Sequence, residues 1–236
     1  GFYGHSAQDV RAMLEECGLR AVSSHVALKL IEADMQGVID YHKAIGCDYI
    51  AVPYLSAEQR PGTPAFAGVL RTIYQFGCLC RDNGIQLLYH NHDFEFVSFS
   101  GMYALDFLYA AMPEDVLKTE IDVCWVKYAG EDPAAYLRKY AGRAPVVHLK
   151  DFVGRKEGDA APYGLLGQSE TKAAGEVPFE FRPVGYGCQD VSAVAEAGLD
   201  AGAKWFVVEQ DASVGRTPLE AAAMSIDTLR KIGLKG

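Results

Sequence analysis

Hydrophobic positions follow two different spacings along this chain of 236 residues. In some segments apolar residues recur three to four positions apart, which predicts helices with one buried face. In others they form short continuous blocks, which predicts buried strands. The two patterns alternate from a first helix onward, and glycines that favour helix ends stand between several of them. These glycines are Gly18, Gly46, Gly84 and Gly202.

The pattern predicts six strands and seven helices. The predicted strands cover residues 20–26, 49–55, 85–92, 117–123, 145–151 and 205–210. The predicted helices cover residues 6–18, 35–46, 63–83, 103–112, 132–140 and 190–202, and a last one begins at Thr217-Pro218. Several of these helices open on a residue that suits an N-cap, as Ser6 and Thr63 do.

Alternating strands and helices predict an α/β fold with a parallel sheet covered by helices. The closed form of that arrangement, a (β/α)8 TIM barrel, needs eight strands. This sequence begins on a helix, so the first two strands and the first helix of such a barrel are expected upstream of it or from a partner chain. We predict a single domain over residues 1–236, with a loop excursion at about 154–180 where the alternation breaks.

The composition excludes several classes of protein. The formal net charge is -9 at pH 7, and without clustered Lys and Arg a nucleic-acid partner is not expected. No apolar run reaches the roughly 18 residues of a membrane span, and the first residues do not resemble a secretory signal. The 6 cysteines form neither a CxxC pair nor a zinc spacing, so we expect reduced cysteines and a cytoplasmic location.

Four of the predicted strands end in polar residues. The first of them opens as an apolar run and ends in His90 and His92, which point to the same side if both belong to the strand. The other endings are Glu120 and Asp122, His148 and Lys150, and Glu209. In barrels of parallel strands the active site lies at the carboxyl ends of the strands. We therefore expect these side chains to lie together at that end of the barrel.

Any one of these polar residues could be structural, but their recurrence on four strands predicts a divalent metal site. Imidazole and carboxylate ligands together suit Mn²⁺, Co²⁺, Fe²⁺ or Zn²⁺, whereas Mg²⁺ prefers oxygen ligands. Mn²⁺ is therefore the first choice, with Co²⁺, Fe²⁺, Zn²⁺ and Mg²⁺ as alternatives.

Five motifs carry a family resemblance: GIQLLYHNHDFEF at 84–96, EIDVCW at 120–125, VHLKD at 147–151, PVGYG at 183–187 and VEQD at 208–211. Through them the chain resembles the sugar phosphate isomerase/epimerase family of xylose isomerase-like TIM barrels over essentially its whole length. The resemblance implies a small carbohydrate substrate and a bound metal ion. It also implies that the barrel's first roughly forty residues precede this sequence.

In that family the metal ligands are a Glu, an Asp, a His and a Glu from four successive strands. By motif, the resemblance places the last three on Asp122, His148 and Glu209. The first falls on His90, where much of the family has Glu, and this departure removes one negative charge from the site. His92 and Glu95 are alternative ligands for that position.

Further residues are candidates for catalysis or substrate binding. The catalytic candidates are Glu209, His92 and Lys150, and the substrate-binding candidates are His25, Trp125 and Phe94. Each has a plainer interpretation: a rim position for Lys150, structural hydrogen bonding for His25, and core packing for the aromatic residues. The PVGYG segment lies where barrels often bind phosphate, but its glycines alone do not predict a phosphorylated substrate.

These observations together predict a metal-dependent sugar isomerase or epimerase, which removes a proton next to a carbonyl and passes through an enediolate. Two alternatives stay open. One is a lyase or dehydratase that uses the same enolate on a keto-sugar or inosose-like substrate, and the other is a non-catalytic sugar-binding barrel. The expected partner is a small carbohydrate, without nucleic acid or membrane, and homo-oligomer formation is left open.

Overall fold

The computed structural model describes residues 2–156, 161–163, 171–172 and 179–234. The chain forms two compact units, Gly1–Glu120 and Ile121–Gly236, and the division falls inside one strand. The single domain over residues 1–236 stays a prediction. Much of the predicted excursion at 154–180 lies outside the described residues.

The first unit alternates helices with parallel strands. Its helices are α1 (Ala7–Glu16), α2 (Leu28–Ala33), α3 (Met35–Ile45), α4 (Phe66–Asp82) and α5 (Ala104–Ala110), with a 3-10 turn at Ala57–Gln59. Its strands are β1 (Ser23–His25), β2 (Tyr49–Val52), β3 (Gln86–His90), β4 (Ser98–Phe99), β5 (Met102–Tyr103) and the start of β6 (Lys118–Asp122). The parallel order is β1, β2, β3, β6, and the register places His90 beside Glu120.

Local sequence signals explain the helix ends of this unit. Ser6 and Asp9 form the predicted capping box at the start of α1, and the carboxylate of Asp34 accepts the N–H of Gly37 at the start of α3. Gly46 ends α3 with a φ of 72°, a left-handed conformation that glycine adopts without strain. Fully buried apolar side chains from both the helices and the strands form the core of this unit: Ile31, Ile39, Ile50, Ile73, Phe76, Leu87 and Leu88.

The second unit contains fewer parallel strands and several short antiparallel pairs. Its helices are α6 (Val123–Tyr128), α7 (Pro133–Lys139), α8 (Val191–Asp200) and α9 (Pro218–Lys231). Its strands are β7 (Val146–Leu149), β8 (Asp151–Val153), β9 (Ala161–Pro162), β10 (Thr171–Lys172), β11 (Glu180–Arg182) and β12 (Trp205–Val208). β7 and β12 pair in parallel, and β8 pairs with β11 and β9 with β10 in antiparallel fashion.

The predicted α/β alternation is confirmed, since each of the six predicted strands and seven predicted helices has a counterpart. Several details differ, including the short strands β4, β5 and β8–β11, which were not predicted. Helices α2 and α6 were not predicted, α4 begins at Phe66 with Ala65 as its N-cap, and β3 ends at His90. The hydroxyl of Thr63 donates instead to the carbonyl of Arg60. Among the helices of the described ranges, none combines the length and apolar character of a membrane span.

Gly77 provides a test of the packing in the first unit. A Cβ on Gly77 would lie 2.6 Å from both Val116 Cγ1 and the Val116 carbonyl oxygen. We predict that Gly77→Ala lowers the free energy of unfolding, because overpacking typically costs about 1–3 kcal/mol and exceeds the roughly 1 kcal/mol that alanine adds to a helix.

The matched control is Gly68→Ala on the same helix, where a Cβ would have no atom within 4 Å. This substitution should raise the free energy of unfolding by up to about 1 kcal/mol. Urea unfolding of both variants measures the difference, and equal changes would contradict the close approach of α4 to Val116.

Candidate metal centre and active site

Asp122 lies at the junction of β6 and α6, where the backbone fixes its orientation. Its Oδ1 accepts the N–H of Cys124 at 2.8 Å and that of Trp125 at 3.3 Å, so the carboxylate caps α6. Its Oδ2 lies 3.4 Å from Nζ of Lys150. The side chain is fully buried. Asp122 is therefore a carboxylate held in one direction by a helix N-terminus.

His148 and Glu209 come from neighbouring parallel strands of the second unit. His148 lies on β7, and Glu209 directly follows β12. Nδ1 of His148 and Oε2 of Glu209 are 3.0 Å apart. One potential ligand atom from each of Asp122, His148 and Glu209 lies within 4.8 Å of the others. The structure thus brings together the three predicted metal ligands of the second unit, and one imidazole with two carboxylates suits a transition metal or zinc.

Lys150 is buried among the carboxylates of this cluster rather than exposed at a rim. Its side chain is 2% exposed, and Nζ lies 2.8 Å from Glu209, 2.9 Å from Asp211 and 3.4 Å from Asp122. Burial alone would lower the pKa of Lys150, but the three carboxylates together outweigh burial and hold that pKa above its ordinary value. The rim position considered for Lys150 is wrong, and the residue is a permanent buried cation.

The charges of this cluster fit an additional cation. The carboxylates of Asp122, Glu209 and Asp211 lie close to the ammonium group of Lys150, and Glu209 also contacts the imidazole of His148. Burial raises the pKa of Asp122, Lys150 opposes that rise, and the neighbouring Glu209 adds to it. Because buried carboxylates are stable when paired or coordinated to a metal, the donor set of Asp122, His148 and Glu209 fits a divalent ion.

A second cluster lies in the first unit around Glu120. The fully buried carboxylate of Glu120 accepts the hydroxyl of Ser23 at 3.0 Å and contacts Nε2 of His25 at 2.6 Å. Nδ1 of His90 lies 3.5 Å from the same carboxylate. His25 is thus hydrogen-bonded, in agreement with the structural alternative given for it in the sequence analysis. Its role in substrate binding, and that of His90 as a metal ligand, stay predictions from the sequence.

His92 lies beyond the end of β3, so strand periodicity does not determine its direction. Its ring centroid is nevertheless 5.2 Å from that of His90. The ring also stacks on Phe94, with centroids 5.5 Å apart and planes 7° from parallel. The guanidinium of Arg60 lies 3.8 Å from the centre of the Phe94 ring. The predicted neighbours His90 and His92 are therefore adjacent, and Phe94 packs against His92 and Arg60.

Glu95 turns into the core of the first unit. One carboxylate oxygen accepts the hydroxyl of Tyr89 at 2.7 Å, and the other accepts the backbone N–H of His92 at 2.8 Å. Burial raises the pKa of Glu95 to about 8, although these two hydrogen bonds oppose the rise. Both oxygens thus hold the turn after β3, which favours a structural role for Glu95 over its alternative role as a ligand.

Trp125 is fully buried in the second unit. Its ring stacks on Phe179 with centroids 5.7 Å apart and planes 4° from parallel, and Nζ of Lys150 lies 5.6 Å from the ring centre. The ring therefore forms one wall of the Lys150 environment. Substrate binding by Trp125 stays a prediction, because the ring exposes no surface in this structure.

Sequence reasoning missed two members of these clusters. Asp211 was quoted in the VEQD motif without a role, although it lies two residues after Glu209 and pairs with Lys150. Ser23 on β1 reaches Glu120 across 97 residues of sequence. The first could have been suspected from its spacing, whereas the second has no signal in the sequence.

Comparison with known protein families identifies the family of this chain. The family model described as a xylose isomerase-like TIM barrel matches residues 1–232. The chain therefore belongs to the family of xylose isomerase-like TIM barrels, and the predicted fold class and family resemblance are confirmed.

Three solved structures illustrate the likeness. A sugar phosphate isomerase/epimerase from Parabacteroides distasonis has 20% identity and a TM-score of 0.75, and the match covers 98% of this chain and 78% of that one. The IOLI protein with a bound zinc atom has 14% identity and a TM-score of 0.69, covering 98% and 82%. The probable 3-DHS dehydratase AsbF from Bacillus anthracis has 12% identity and a TM-score of 0.64, covering 94% and 81%.

At these identities the structural likeness establishes the fold alone. No curated protein matches the sequence.

The buried carboxyl of Glu95 predicts a pH-dependent stability. Its pKa is about 8 in the folded chain and 4.5 as an ordinary value, so its contribution is complete below 4.5 and is lost as pH rises toward 8. Between those values the free energy of unfolding should fall by up to about 1.4 kcal/mol per pH unit through this group.

Glu95→Gln should remove that slope, because the amide does not ionise. Urea unfolding of both proteins between about pH 5 and 8 isolates the contribution of Glu95 as the difference between two curves. Parallel curves would contradict the raised pKa.

Proposed function

We propose that this chain is a metal-dependent sugar isomerase or epimerase that acts by proton abstraction next to a carbonyl. The observation that supports this most is the cluster of Asp122, His148 and Glu209 around the buried Lys150. A buried, permanently charged lysine beside imidazole and carboxylate groups is suited to chemistry that develops negative charge on oxygen.

Asp122, His148 and Glu209 would hold the metal ion. Mn²⁺ is the first choice for this mixed donor set, with Co²⁺, Fe²⁺, Zn²⁺ and Mg²⁺ as alternatives. When bound, such an ion supplies a Lewis acid that polarises a substrate carbonyl and its neighbouring hydroxyl. His90 as the fourth ligand remains a proposal from the family pattern.

The protein's own groups would then carry the proton and the charge. Glu209 takes a proton from the carbon next to the carbonyl. It then returns the proton to the other carbon of the enediolate, or a second acid donates a proton to the opposite face of the same carbon. The first outcome isomerises the sugar and the second epimerises it. Lys150 is held charged beside this carboxylate, so its ammonium stabilises the oxygen that becomes negative. His92 remains a second candidate for the base.

A lyase is the alternative that a specific observation favours. One structural neighbour is named a probable dehydratase, and an enolate formed by Glu209 can also expel a substituent from the next carbon. The substrate would then be a keto-sugar or an inosose-like compound. A non-catalytic sugar-binding barrel is the remaining candidate, and it should show neither stoichiometric metal nor proton exchange.

The substrate class and cellular location are proposed on the same basis. We infer a small carbohydrate as the ligand, in keeping with the family. All 6 cysteines are free, which favours the cytoplasm as the predicted location.

The first test of this proposal is the metal content. We expect one divalent ion per chain in protein purified without chelator. His148→Ala should lose that ion, because it removes one of the three ligands. The control is His5→Ala, whose side chain is exposed, and it should keep the ion. Elemental analysis measures both, and metal-free protein with full activity would contradict the proposal.

The second test is proton exchange. Candidate keto-sugars incubated with the protein in D₂O should take up deuterium next to the carbonyl, as followed by NMR. Glu209→Gln should slow this uptake by at least roughly 10²-fold, the typical effect of losing a general base. Glu196→Gln replaces an exposed carboxylate on α8 and should leave the rate unchanged.

The product separates the remaining alternatives. Deuterium in an isomeric sugar supports the isomerase or epimerase, and deuterium in an unsaturated product supports the lyase. Turnover of an identified sugar without any exchange would indicate a direct hydride shift and would rule out the enediolate scheme.

A further inference from the structure

The loop that follows β11 is organised around a single carboxylate. Asp151 is 1% exposed, and its oxygens accept the backbone N–H groups of Gly185 at 2.9 Å, Gly187 at 3.0 Å and Gln189 at 3.1 Å. They also accept the N–H of Phe152 at 2.9 Å. Four backbone donors thus converge on one buried side chain, which fixes the path of residues 185–189.

This arrangement gives the glycines of the PVGYG segment a structural function. Glycine-rich loops often direct their N–H groups at a phosphate, but here the N–H groups of Gly185 and Gly187 are engaged by Asp151. A Cβ on Gly187 would overlap Asp151 Oδ1 and the carbonyl oxygen of Phe152. Only glycine allows the loop to approach the carboxylate this closely.

The side chain of Gln189 extends from this loop to the candidate metal centre. Its Nε2 donates to the carbonyl of Val123 at 2.7 Å and lies 3.4 Å from the carbonyl of Lys150. Val123 directly follows Asp122, and Lys150 is itself the buried cation of the cluster. One amide group therefore joins the backbone after β6 to the backbone after β7, at the residue that follows Asp122 and at Lys150 itself.

We propose that Gln189, held in place by Asp151, is a positioning residue for Asp122 and Lys150. The inference rests on the proposed metal centre. Ligands must keep their geometry to within a fraction of an ångström for tight binding, and residues that orient ligands typically contribute 10–100-fold to metal affinity. Gln189 acts through the backbone, since its amide contacts carbonyl groups rather than the carboxylate or ammonium groups.

The test is the affinity of the protein for Mn²⁺ after Gln189→Met, which keeps the approximate length and shape of the side chain but removes the donor. We expect the dissociation constant, measured by EPR titration of free Mn²⁺, to rise by roughly 10-fold or more. Gln36→Met is the control, because Gln36 donates to Asp40 on an exposed face of α3. It should bind Mn²⁺ as the wild type does.

Gly187→Ala is a second variant, which changes the contact between the 185–189 loop and Asp151. It displaces the loop from Asp151 and should weaken Mn²⁺ binding in the same direction, whereas Gly68→Ala should not. Circular dichroism at the titration temperature shows which variants are folded. A purely structural role would lower the melting temperature of Gln189→Met without changing Mn²⁺ affinity at a temperature where the protein is folded.

The outcomes separate this inference from the proposed function. Folded Gln189→Met with wild-type affinity for Mn²⁺ would overturn the positioning role and leave the metal centre intact. Wild-type protein that binds no Mn²⁺ at Asp122, His148 and Glu209 would overturn the metal centre, and the positioning role would fall with it.

Discussion

The burial of Lys150 among carboxylates constrains the whole candidate site. An ammonium group removed from water is stable only when opposite charges surround it at short distance. Here Glu209 and Asp211 approach Nζ to within 3 Å, and Asp122 approaches to 3.4 Å. The fully buried carboxylate of Asp122 is in turn stabilised by the nearby ammonium group of Lys150.

The same cluster links structure to the proposed chemistry. Asp122 is directed by the N-terminus of α6, and His148 and Glu209 are brought together by the parallel pairing of β7 with β12. Each group is thus placed by regular secondary structure, which holds functional groups more precisely than a free loop does. The carboxylate and imidazole atoms gathered here are donor types that suit a divalent ion.

Much of the fold could be predicted because local chemistry specified it. The capping box at Ser6 and the left-handed Gly46 mark helix ends in the sequence and in the structure alike. Helix α6 was missed because Asp122 both ends β6 and caps the helix that follows at once, so no turn signal separates the two elements. The start of α4 was misplaced because Thr63-Pro64 resembles a helix start, whereas the threonine hydroxyl bonds to an earlier carbonyl.

The sequence indicated which polar residues stand at the strand ends, but not how their side chains are surrounded. Strand ends indicated Asp122, His148 and Glu209 among other polar residues, and the family resemblance then selected these three as predicted metal ligands. The burial of Lys150 was not predicted, since a lysine at a strand end looks the same in sequence whether it faces water or three carboxylates. Gln189 could not be found at all, because its partners are backbone carbonyls from distant segments. Such contacts depend on the tertiary path of the chain and leave no spacing to detect.

The central claim is that Asp122, His148 and Glu209 bind a divalent ion beside Lys150. Its most direct test is the anomalous difference map of a crystal grown with Mn²⁺ and measured at the manganese absorption edge. The account predicts one strong peak at about 2.0–2.3 Å from the imidazole nitrogen of His148 and from an oxygen of each carboxylate, as expected for metal ligands. A peak elsewhere, or none with Mn²⁺ in excess, would contradict it.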